Sequence, residues 1–77
     1  MKTVSLDQVL KGKTYKVSGF QQRDSAYAEK LYKMGFVEGT SVQLAPVELA
    51  DPIIVEIRGS RIALRRQEAK QIYVQEF

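Results

Sequence analysis

The sequence predicts a mainly β fold: a small antiparallel barrel of about five strands, with a covering α-helix around residues 25–34 and a short helix near the N-terminus. Three observations point to it. Short stretches alternate apolar with polar residues, one stretch switches to helical spacing, and turn residues recur too closely to leave room for parallel crossovers. With 77 residues, the chain forms one domain, 1–77. A chain of this size buries only about 60% of the surface its unfolded form exposes.

The elements follow in order. In "SLDQVLKG", Ser5 and Gln8 have capping-box spacing, and Gly12 stands where a short helix would end. "KTYKVSGF" alternates Tyr15 and Val17 with polar residues, as a half-buried strand does, and Gly19 bends or bulges its end. Asp24 or Ser25 caps the main helix, on which Tyr27, Leu31 and Met34 trace one face that Ala28 widens.

The stretch "YKMGFVEGT" contains two glycines. Gly35 sits where a left-handed residue closes the helix, and Phe36 follows where its side chain packs back on Leu31 in a Schellman motif. Gly39 makes a turn into the strand that contains Val42 and Leu44. A phosphate-binding Walker loop is excluded, because a helix precedes and no lysine follows Gly39. Leu31, Gly35, Phe36 and Gly39 thus form a structural corner.

"PVELADP" reads as a surface loop. "PIIVEIRGSRIAL" reads as a hairpin with Ile53, Val55, Ile57, Ile62 and Leu64 on one side and Gly59-Ser60 as its two-residue turn. "RRQEAKQ" favours a helical turn too short to hold without tertiary support, and "IYVQEF" supplies a closing strand. That last stretch, Ile72 to Phe77, is a candidate edge for weak homo-oligomer formation.

Composition narrows the function classes. At 44% hydrophobic and 27% charged the chain is ordinary for a globular protein. It has no cysteine and no histidine, so disulfide scaffolds, zinc knuckles and both Ser-His-Asp and Cys-His catalysis are excluded. No pair among the nine Asp and Glu residues stands out as a general acid/base couple, so no enzyme and no cofactor is expected. The longest apolar run, Ile53 to Val55, is far below the roughly 20 residues that span a bilayer, and "MKTVSLDQVLKGK" lacks a signal-peptide core. A cytoplasmic location is the expectation.

"LYKMGFVEGTSVQL" and "DPIIVEIRGSRIALRRQEAKQIYV" together resemble the FeoA family of bacterial ferrous-iron transport accessory proteins. The pieces that carry the resemblance are Leu31, Met34, Gly35, Phe36 and Gly39, then Asp51-Pro52, then Ala63-Leu64-Arg65 and Glu68-Ala69, covering nearly the whole chain. It implies an SH3-like barrel that works at the inner face of the membrane beside the FeoB permease, docking on its GTPase-containing cytosolic part. Similar modules form the C-terminal domains of iron-dependent repressors. The family is also associated with transition metals, for which this chain lacks imidazole and thiolate ligands. Glu48 and Asp51 share a loop and offer only carboxylates.

Candidate partner-binding residues are Tyr32, Lys33 and Met34 at the helix end and Leu49 and Ala50 in the loop before Asp51. The competing reading is nucleic-acid binding through Arg58, Arg61, Arg65 and Arg66, with a net charge of +3 behind them. Interspersed Glu56, Glu68 and Glu76 weigh against it, and no nucleic acid is expected as a partner.

Overall fold

Among the described residues six strands, β1 (Thr3–Ser5), β2 (Tyr15–Phe20), β3 (Ser41–Leu44), β4 (Ile53–Ile57), β5 (Ser60–Leu64) and β6 (Ile72–Glu76), form one sheet in the order β1-β6-β2-β3-β4-β5. Every neighbouring pair is antiparallel. Two helices, α1 (Ala26–Lys33) and α2 (Arg66–Ala69), and a 3-10 turn (Leu6–Gln8) complete the architecture. The structure is a computed structural model that describes residues 3–22, 25–46 and 51–76.

Alternation places the core. Tyr15 and Val17 of β2, Val42 of β3, Ile53, Val55 and Ile57 of β4, Leu64 of β5 and Ile72 and Val74 of β6 all turn inward to one cluster. A sheet whose inner faces all meet in a single cluster must curl on itself, which gives the barrel. Ala28 and Leu31 of α1 close one side, and Leu6 and Ala69 bring the 3-10 turn and α2 onto the same core. The 3-10 turn packs against α2 and β6. No large polar side chain is buried among these residues, so burial of apolar area, at about 1.5–3 kcal/mol per large side chain, is the main stabilising contribution.

The Schellman closure of α1 forms as the sequence predicts. Phe36 N–H donates to Leu31 C=O at 3.0 Å and Gly35 N–H to Tyr32 C=O at 3.1 Å, with Gly35 at φ +108°. Phe36 is fully buried beside Leu31 in the core. Ser25 is the N-cap: its Oγ accepts from Ala28 N–H at 3.0 Å. Gly39, at φ +88°, completes the turn in which Thr40 N–H donates to Val37 C=O. Its own N–H reaches Val17 C=O at 2.8 Å, tying the turn to β2. Gly19 lies at a register shift in β2, the predicted bulge.

Four details depart from the expectations. The sheet has six strands rather than five because Thr3–Ser5 pairs with β6. A three-residue strand with one apolar residue carries almost no period of its own. Consequently the Ser5 hydroxyl donates to Asp7 instead of capping a helix, the 3-10 turn stops at Gln8, and Gly12 serves a later turn at φ +82°. The hairpin turn is Arg58-Gly59, not Gly59-Ser60: Ser60 pairs with Ile57, and Arg58 and Gly59 take φ +51° and +80°, as a type I′ turn requires. Finally, β6 runs between β1 and β2 and is central, so among the described residues the last strand offers no edge for self-association; Phe77 lies outside them.

Candidate docking surface

The end of α1 is where the sequence predicts partner contacts. Tyr32 is 37% exposed, and its ring meets Phe20 edge to face with centroids 5.0 Å apart. Phe20 itself is buried, so Tyr32 is held in place by this ring contact while just over a third of it faces solvent. Lys33 is exposed; Met34, the C-cap, is half-buried and packed against the core. Leu49 and Ala50, and with them Glu48, lie outside the described residues.

Sequence reasoning missed Val37, which is 40% exposed. It belongs to neither a helical stripe nor a strand, so no periodicity singles it out. Its N–H is held by Gly35 C=O at 2.8 Å, which fixes it just beyond the buried Phe36. The chain thus turns one large apolar residue inward and presents the next to solvent. Arg58 borders the same corner: a Cβ placed on Gly35 would lie 3.1 Å from Arg58 Cδ. Arg58 also holds a left-handed conformation that asparagine or glycine adopt more easily. Tyr32, Lys33, Val37 and Arg58 therefore make a surface with apolar groups beside cations.

Next to it, a groove of about 400 Å³ is lined by Thr14, Gln43, Glu56, Arg58, Ser60 and Arg61 among others. Register brings its polar groups together, since Gln43 faces Glu56 across β3 and β4 and Glu56 faces Arg61 across β4 and β5. Glu56 accepts from Gln43 Nε2 at 2.9 Å and from Arg61 Nε at 3.0 Å. These two donors, Gln43 first, hold its carboxyl below the ordinary range. Such a network orders the outer face; it contains no nucleophile with a base beside it.

The four arginines do not form one face. Arg61 is engaged with Glu56, whereas Arg66 Nη1 donates to Asp7 C=O at 2.9 Å at the other end of β5. Asp51 Oδ1 accepts from Arg66 N–H at 3.1 Å, so this carboxylate caps α2. Among the described residues no three Asp or Glu side chains converge as a metal site would require, and with no imidazole or thiolate in the sequence the donor set does not fit a transition metal. No helix among them is long and apolar enough to cross a membrane.

The model of the FeoA domain matches residues 4–76. A FeoA-like protein from Clostridium acetobutylicum is 32% identical and superposes with a TM-score of 0.82, covering 100% of this chain and 90% of its own. FeoA from Stenotrophomonas maltophilia, an SH3 domain protein crystallised with zinc, is 29% identical over 94% of this chain and 89% of its own, with a TM-score of 0.79. A manganese-dependent transcriptional repressor shares the fold at TM-score 0.83 and 21% identity, covering 100% of this chain and 38% of the repressor. No match was found among the curated proteins.

Proposed function

Since this chain belongs to the FeoA family, we propose that it is a cytoplasmic accessory protein of bacterial ferrous-iron uptake that docks on the GTPase-containing cytosolic part of the FeoB permease and modulates it. The family is linked to ferrous-iron transport and is not a known enzyme family, and the fold is the SH3-like barrel. The S. maltophilia relative has been put forward as a ferrous-iron transport activating factor.

The observation that carries the docking reading is the paired exposure of Tyr32 and Val37 around the Gly35 corner. Both side chains are positioned by the fold, Tyr32 by Phe20 and Val37 by the bonded corner. Their exposure therefore costs a partner little ordering entropy to cover. Lys33 and Arg58 at the rim suit an acidic counterpart. Iron is cargo in this reading, handled by the permease.

Capture of the isolated cytosolic domain of the permease on the immobilised chain tests this. Val37→Asp, at a 40% exposed position, and Tyr32→Glu should each weaken capture by about tenfold or more while the circular dichroism spectrum is kept. GTP turnover by the captured domain should change when the chain is added. Capture insensitive to both substitutions rejects this surface, and no capture at all rejects the partner.

A further inference from the structure

We propose that the free edge of β5 is a binding site for an acidic, extended polypeptide segment, which adds to the sheet as a further strand. β5 is the last strand of the sheet, and among the described residues it pairs with β4 alone.

Register settles which backbone groups face outward. Ile57 and Ser60 flank the two-residue turn, and in such a hairpin the flanking pair exchanges both hydrogen bonds. Bonded and non-bonded pairs then alternate, so Val55 with Ile62 and Ile53 with Leu64 are bonded, whereas Glu56 with Arg61 and Ile54 with Ala63 are not. The same rule turns Ile54 C=O away from β5, and there it accepts Ala45 N–H at 2.9 Å. By this alternation the N–H and C=O groups of Arg61 and Ala63 point outward along the edge, as donors and acceptors for an incoming strand.

The side chains are suited to such a strand. Ile62 points inward with Val55 and Leu64, yet it is only half-buried, while those two are buried. A neighbouring strand would cover its open flank. Arg61 lies on the outer face with 57% of its side chain exposed, and Arg58 and Arg65, both exposed, bracket β5 at its two ends. Arginines thus stand at both ends and in the middle of one short strand, although Arg61 already pairs with Glu56.

Charge decides between occupants. Two copies of this chain paired edge to edge would bring two strands that each carry Arg58, Arg61 and Arg65 side by side, and like charges gathered across a strand pair are unfavourable. An acidic segment gains at those positions, with the net charge of +3 assisting the encounter. The site shares Arg58 with the docking surface proposed above but makes no use of Tyr32 or Val37, so substitutions at those two residues tell the proposals apart.

The test uses the whole chain, labelled with nitrogen-15, and short synthetic peptides alternating valine with glutamate or, as a comparison, valine with lysine. The glutamate peptide should shift the Arg61 and Ala63 amide resonances and slow their hydrogen exchange, which is fast in the free chain while Ile62 and Leu64 are protected. It should bind at least about tenfold more tightly than the lysine peptide. Ala63→Pro removes an outward N–H without touching the ladder to β4, and it should abolish binding; Arg61→Glu combined with Arg65→Glu should reverse the preference. Tyr32→Glu should bind the peptide as the unchanged chain does. Three outcomes would each overturn the proposal: no change at Arg61 and Ala63 with millimolar peptide, protection that falls on another strand, or slow exchange of these two amides in the free chain through self-association. Exchange in the unsubstituted chain decides the matter even if Ala63→Pro fails to fold.

Discussion

The stem of Arg58 covers Gly35, leaving 3.1 Å between its Cδ and the place where a side chain on Gly35 would begin. The turn of one hairpin is thereby fitted onto the end of the helix that precedes it by two strands. Gly35 faces two constraints at once, since its φ of +108° is also one that L side chains rarely adopt. Gly35→Ala is expected to destabilise the chain by about 1–3 kcal/mol, measured by urea unfolding. For a chain this small that is a large share of the total, which scales at roughly 0.05–0.15 kcal/mol per residue. A Gly35→Ala variant as stable as the parent would show that the corner relaxes freely.

Ser25 supplies one side-chain bond to the first turn of α1, accepting from Ala28 N–H at 3.0 Å. Ser25→Ala should cost about 1 kcal/mol and Ser25→Gly less. Thermal melts of the two variants, compared at matched pH, check the order.

Tyr27 has a buried hydroxyl oxygen with no hydrogen-bond partner among the described residues; the nearby Glu68 acts on it mainly through charge. Burial, then Glu68, raises its pKa to about 12. A phenol whose folded pKa lies above its ordinary value of 10 contributes stability that is fully present below that ordinary pH and is lost as pH rises toward the folded value. Unfolding followed from pH 9 to 12, on the order of the interval just described, should show falling stability. Tyr27→Phe should remove that component, and at neutral pH it should be neutral or stabilising by up to about 1 kcal/mol, because an unpaired polar atom is gone.

Glu56 titrates in the opposite sense. Its carboxyl is held below the ordinary range, first by Gln43 and then by Arg61. Its contribution is therefore present above the ordinary carboxylate pKa and is lost as pH falls below it. Since Glu56 is solvent-exposed the effect is small and screened by salt. Glu56→Gln should flatten the acid limb of stability slightly at low ionic strength and leave it unchanged at 1 M salt, as urea midpoints measured between pH 3 and 6 will show (about one unit or more either side of an ordinary carboxylate).

The candidate site was only partly legible in the sequence. Tyr32 and Lys33 could be placed on a helix end because helical spacing says which residues fall off the buried stripe. Val37 could not, because its exposure depends on how the corner is bonded to β2. The arginines looked like one basic cluster in sequence, but strand direction separates them: Arg61 meets Glu56 near the hairpin turn, and Arg66 meets Asp7 at the far end of β5.

Local pattern alone determined much of this protein. Ser25, the Leu31 face, Gly35 and Phe36 specify a capped helix and its closure, and the alternation in β2, β3 and β4 specifies which side chains go inward. These are decided within a few residues, where backbone conformation and spacing are enough. Tertiary structure decided what depends on distant pairing: that Thr3–Ser5 becomes a strand against β6, that β6 is central while β5 is the edge, and that the hairpin turns at Arg58-Gly59. In each case the stabilising hydrogen bonds and buried contacts come from the partner strand, and nothing within the segment itself carries them.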